Sequence, residues 1–91
     1  VNMAGTVFKN IDQATKQKLQ LTGGVQITTL KAGPWKKAGI QQGFIITAIG
    51  KEIVDNVDQL TSILQRREGG VLIEGVYPNG EKIYYGVDLG S

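Results

Sequence analysis

Histidine and cysteine are both absent from this chain of 91 residues, and that removes most side-chain chemistry at once. A Ser-His-Asp triad, an imidazole base, a thiolate nucleophile, a disulfide frame and a His- or Cys-type metal site are all excluded within it. Two serines remain, Ser62 in the middle of an amphipathic segment and Ser91 at the end. A Ser–Lys dyad would need a desolvated lysine beside Ser62, and the neighbouring Arg66 stays charged and cannot act as a base. Asp55 and Asp58 stand at the start of a helical pattern, where the positive helix end accounts for them. Glu81 and Asp88 fall on a closing hairpin, and none of these acids has the ligand spacing of a calcium loop. Gly69-Gly70 follows a helix instead of opening one, the wrong polarity for a phosphate cradle. The pairs Lys36-Lys37 and Arg66-Arg67 are too short, and too free of interleaved aromatics, to track a nucleic-acid backbone. The expectation is a domain that is not an enzyme, takes no metal or cofactor and binds no nucleic acid.

Binding is the better supported chemistry. Met3-Ala4-Gly5-Thr6 is a run of small residues leading into an apolar strand, and such a loop can turn successive backbone N–H groups towards one point. That makes an anion nest suited to a peptide's terminal carboxylate. If the strand after it is a sheet edge, its free N–H and C=O groups can accept a guest strand. A helix beginning at Val57 would supply the second wall and, through its apolar side chains, the selectivity.

The elements that must hold these residues can be read in order. Thr6–Ile11 is β-branched and aromatic, a strand. Asp12 suits an N-cap, Ala14 to Leu19 is rich in helix formers, and Gly23-Gly24 closes that segment. Val25–Leu30 alternates with period two, a second strand. Pro34 to Ala38 is a single helical turn with proline at its first position and Gly39 past its end. Phe44–Ile49 is apolar enough to be buried on both faces, and Ile53-Val54 is a short strand beyond a turn at Gly50-Lys51. The main helix has Asn56 as cap, Gln59 as reciprocal partner and Gly69-Gly70 as stop. Its Val57, Leu60, Ile63 and Leu64 approximate an i, i+3, i+4, i+7 stripe. Val71–Tyr77 and Lys82–Leu89 pair through Pro78-Asn79-Gly80-Glu81, a strong hairpin signal. The prediction is one α+β, mostly β domain over 1–91 with a core from about 3 to 89. Five or six short strands form a small, partly open barrel around one main helix and one or two short ones.

Composition agrees. The chain is 41% apolar and 20% charged, an ordinary globule. It carries 13 glycines, about twice the usual share, which points to many tight turns. No apolar run approaches the ~20 residues that cross a bilayer. The opening residues lack the basic-then-apolar layout of a secretory signal, so a mature segment or excised domain is expected. The net charge of +2 is uneven: residues 1–46 hold six lysines against Asp12, and residues 47–91 hold four basic against seven acidic groups.

Ala32-Gly33-Pro34-Trp35-Lys36-Lys37-Ala38-Gly39-Ile40, followed by Gln41-Gln42-Gly43-Phe44-Ile45-Ile46, is similar to the "GSPAAKAGL-x-x-GD-x-I" signature of bacterial PDZ domains. Ala48-Ile49-Gly50-Lys51-Glu52-Ile53 stands in the place of their "VNGKPV" turn, and Asn56-Val57-Asp58-Gln59-Leu60 with Ile63-Leu64 resembles their "SVEDL-x-x-LL" helix. The match runs in order from about residue 3 to residue 89. It most resembles the PDZ modules of HtrA/DegP-type (Do-like) periplasmic serine proteases, whose permuted strand order puts the carboxylate-binding strand first. The resemblance implies a carboxylate loop on Met3, Ala4, Gly5 and Thr6. It implies a peptide-binding strand through Val7 with Thr6 and Phe8 facing the groove, and helix positions at Val57, Leu60, Thr61 and Leu64. Ala4 replaces a larger apolar residue of the family, and Thr6 its valine. The function implied is capture of C-terminal or extended unfolded segments by β-strand addition, in the periplasm or cell envelope and beside the protease domain and other subunits of a parent oligomer. The alternative is a structural PDZ domain that holds subunits together with little peptide binding. A third parentage is a different PDZ-bearing envelope protein, a membrane-embedded metalloprotease or a tail-processing protease.

Overall fold

The computed structural model describes residues 2–3 and 6–89. One antiparallel sheet carries the domain. Its strands are β1 (Asn2–Met3), β2 (Thr6–Asn10), β3 (Val25–Leu30), β4 (Ile45–Ile49), β5 (Glu52–Ile53), β6 (Gly70–Val76) and β7 (Lys82–Asp88). They run in the spatial order β1-β2-β3-β4-β6-β7, with β5 a short branch on β4. Three helices punctuate the chain: α1 (Gln13–Leu19), α2 (Pro34–Lys37) and α3 (Val57–Arg66). The six predicted strands and three helices are all present, within a residue or two at their ends. β1 is additional. Met3 falls on a strand where a loop was expected: it pairs with Thr6, and Asn2 pairs with Val7.

The caps explain why the helices start where they do. Asp12 is extended (φ −82°, ψ 172°) and its Oδ1 accepts the Thr15 N–H at 2.8 Å. Hydrogen bonding from the Thr15 side chain first and from its backbone N–H second, with a smaller contribution from Lys9, holds the Asp12 carboxyl below its ordinary value. α1 closes at Gln20, which takes a left-handed conformation (φ 57°), three residues before the predicted Gly23-Gly24 stop. Asn56 caps α3 by accepting the Gln59 N–H at 2.9 Å, and Gln59 Oε1 reaches back to the Asp55 N–H at 2.8 Å, one residue beyond the usual capping-box donor. At the other end of α3, Arg67 donates from Nε and Nη2 to Glu52 Oε2 (3.2 and 2.8 Å), and Arg66 Nη2 to Oε1 at 3.2 Å. The arginine pair is thus occupied in tying the helix to β5, and it holds the Glu52 carboxyl below its usual value, Arg67 first.

The main core is drawn from β2, β3, β4, β6 and β7 and from two helices. Phe8, Ile27, Phe44, Ile49, Ile73 and Val87 are all buried, and Leu60 and Ile63 of α3 and Trp35 of α2 pack against them. A smaller cluster of Ile11, Ile45 and Val76 takes Leu19 and Leu21 beside α1.

The β6–β7 hairpin ends in a longer turn than a two-residue Asn-Gly loop. Tyr77 N–H bonds the Glu81 carbonyl at 2.9 Å, Gly80 adopts φ 91°, and Asn79 Oδ1 accepts the Glu81 N–H at 2.9 Å. This is the pattern of a three-residue connection with a left-handed glycine. At its base Phe44 packs on Tyr77 and edge-on to Tyr85, whose hydroxyls lie 2.6 Å apart. Burial, then the Tyr77 hydroxyl, pushes the Tyr85 phenol up to about 12 from 10.0. The neutral phenol is favoured in the fold. Its contribution to stability is therefore complete below pH 10.0 and is lost as the pH rises through about 12. Denaturant melts at a series of alkaline pH values are expected to show stability falling across that window. In Tyr85→Phe this part of the slope disappears; an unchanged slope would refute the assignment.

Candidate functional site

β2 and α3 lie side by side. Asn10, at the end of β2, accepts the Val57 N–H through Oδ1 at 2.7 Å, which pins the strand to the first turn of the helix. With Asn56 on the Gln59 N–H, two of the donors that a helix start leaves open are satisfied. Val57, Thr61 and Leu64 follow at i, i+4 and i+7, one face of the helix. Val57 and Thr61 are half-buried and Leu64 is 9% exposed. Leu60, predicted among the binding positions, is 0% exposed and belongs to the core beneath this face.

On the strand, Val7 is half-buried, while Thr6 and Phe8 are each 1% exposed. Phe8 meets Trp35 edge-on, with ring centroids 5.4 Å apart. The side chain expected to line a pocket is thus packed in the core against Trp35 of α2. The Thr6 hydroxyl is buried without a hydrogen-bond partner among the described residues. Between β2 and β3 the register shifts after Val7: Val7 pairs with Thr29 and Phe8 with Ile27, so Thr28 is the extra residue. Its hydroxyl donates to the Val7 carbonyl at 3.3 Å. Neither the Asn10–Val57 bond nor this bulge carries a local sequence signal.

Ala4 and Gly5 of the expected carboxylate loop lie outside the described residues, and Met3 is described only by its strand pairing. That pairing corrects one expectation. The start of β2 is not a bare sheet edge, because β3 pairs it on one side and β1 on the other over Thr6 and Val7. The physical reason is that Asn2-Met3 of the same chain pairs antiparallel with Thr6-Val7 and so takes up their outer backbone groups. Beyond Val7, no strand pairs with Lys9 and Asn10 on the outer side among the described residues.

The other candidate chemistries do not assemble. Ser62 is exposed on α3. Glu81 precedes β7 and Asp88 ends it, which separates them by about 23 Å along an extended strand. Among the described residues no three His, Cys, Asp or Glu side chains gather where a metal could be held, and no helix is long and apolar enough to cross a membrane. A hollow of about 810 Å³ lies between α2 and β7, with Pro34, Lys36, Lys37 and Asp88 in its lining. None of its lining residues comes from β2 or α3.

No family model and no curated protein matches the chain. Among solved structures it is similar to the HtrA3 PDZ domain, crystallised bound to a phage-derived ligand, FGRWV. The TM-score is 0.77 at 17% identity, over 97% of this chain and 84% of that one. The chain has a PDZ fold. At this level of identity the likeness concerns architecture, and in this PDZ fold the strand and helix that flank the predicted groove are β2 and α3.

Proposed function

We propose that this PDZ-fold domain is a non-catalytic peptide-binding module, which takes C-terminal or extended unfolded segments as an added strand along β2. The observation that carries the reading is the juxtaposition of β2 with the Val57–Thr61–Leu64 face of α3, fixed by the Asn10–Val57 hydrogen bond. A guest running antiparallel to β2 would place alternate side chains against that face. Its terminal carboxylate would lie at the loop before Thr6. The buried, unpaired Thr6 hydroxyl supports this placement, since such a donor costs about 1–3 kcal/mol until something accepts from it. Val57 at the helix start favours an apolar guest residue two back from the terminus. Burying one apolar side chain is worth roughly 1.5–3 kcal/mol, so single-site affinity is modest and gains from multivalency in an oligomeric parent. The parent proposed from the sequence resemblance is an HtrA-like serine protease of the periplasm or cell envelope, in which the module delivers or senses substrates.

An NMR titration with short apolar-ended peptides tests this. Resonances of Thr6–Val7 and Val57–Thr61 are expected to shift with a free C-terminal carboxylate, and to shift much less with its amide. No shift at either wall would overturn the reading.

A second reading has its own support. β1 already covers Thr6 and Val7, and Phe8 is packed against Trp35, which suits a domain that holds protease subunits together without a guest. Size measurements on the full-length protein with and without this segment separate the two. Lost assembly with unchanged substrate selection favours the structural role.

A further inference from the structure

We infer that β1 is a built-in competitor for the peptide groove, a strand of the domain's own chain that must leave Thr6 and Val7 before a guest can occupy them. The inference rests on the peptide-binding reading above and specifies how that site is regulated. Three observations carry it. β1 lies on the side of β2 opposite β3, the side on which an added strand would pair. It runs antiparallel to β2, the polarity proposed for the guest. Its later residue, Met3, sits opposite Thr6 and its earlier one, Asn2, opposite Val7. Asn2-Met3 therefore stands in the register of the last two residues of a bound tail, and a sheet edge holds one neighbour per side.

The consequence is thermodynamic. A guest binds only the fraction of molecules in which β1 is detached, so its apparent dissociation constant is the intrinsic one divided by that fraction. β1 has two residues, a ladder short enough to open without disturbing the core. It weakens binding without abolishing it.

The chain has no cysteine, which allows a clean test. Directly opposed residues of an antiparallel pair have Cα atoms about 4.5–5.5 Å apart, within disulfide range. In Asn2→Cys/Val7→Cys, mild oxidation is expected to form an intramolecular disulfide that locks β1 in place. Affinity for an apolar-ended carboxylate peptide should then fall at least tenfold against the same protein reduced. Deletion of residues 1–2, which leaves Met3, should tighten binding by about five- to tenfold over the intact chain, as expected if a tenth to a fifth of molecules are open at rest.

Failure of the disulfide to form, equal binding by oxidised and reduced protein, or unchanged affinity after the deletion would each overturn the competitor while leaving peptide binding intact. Absence of binding by the intact, reduced and deleted forms alike would remove the peptide-binding reading, and the competitor with it.

Discussion

Gly75→Ala is expected to cost about 3 kcal/mol or more, a large share of the roughly 5–15 kcal/mol that holds a domain of this kind together. Gly75 lies one residue from the end of β6, paired on both sides, opposite Ile46 on β4 and Ile83 on β7. A methyl group there would be driven onto the Ile45 carbonyl oxygen and to 2.5 Å from Phe44 Cζ. The first obstacle is backbone in a paired strand and the second a fully buried ring, so neither can swing aside as an exposed side chain would. Relief requires β4 and β6 to separate at the centre of the sheet, or Phe44 to leave its place against Tyr77 and Tyr85. Thermal denaturation is expected to show a midpoint lower by about 12 °C or more, taking 4–8 °C per kcal/mol for a domain of this size. A midpoint within a few degrees of the parent would show that the strands close less tightly here than the geometry requires. Gly86→Ala, on the neighbouring strand with open space around its Cβ position, is the control and should cost far less.

Trp35→Ala is the second large effect, at about 3–5 kcal/mol. Trp35 is 2% exposed although it belongs to a four-residue helix whose last two residues are lysines. Its ring fills the space under Phe8, and truncation leaves a cavity between α2 and β2 in addition to the lost edge-to-face pair. Trp35→Phe keeps an aromatic partner and should fall between the parent and the alanine variant. The readout that separates packing from groove geometry is peptide affinity below the melting transition. On the peptide-binding reading proposed above, a displaced Phe8 disturbs β2, so Trp35→Ala is expected to bind peptide more weakly even where it is fully folded. A stability loss below about 1 kcal/mol would mean that α2 is an adornment to the core and not a part of it.

Local chemistry made the elements legible. Asp12 and Asn56 each offer a side-chain acceptor to an N–H three residues ahead, Pro34 and Gly39 bracket α2, and both kinds of signal act within one turn. The apolar runs became strands because their periodicity leaves few other ways to bury them. The site was legible only in outline. Val57, Thr61 and Leu64 share the predicted face, but Leu60 does not line it, since a helix leaning on a sheet seals the residue at its line of contact. The Asn10–Val57 bond joins residues 47 apart in sequence and Trp35 reaches Phe8 from another element, so neither could be read before the strands had their places. β1 escaped because two residues carry no period.

The Asn10–Val57 bond also says something about timing. It fastens the opening strand to a helix formed much later along the polypeptide, and closing a span of that length is entropically unfavourable until the intervening strands have already drawn the ends together. The seam between β2 and α3 is therefore expected to form after the sheet. By the same token it is expected to open before the sheet does, with hydrogen exchange at the Val57 N–H faster than at the paired amides of β4 and β6.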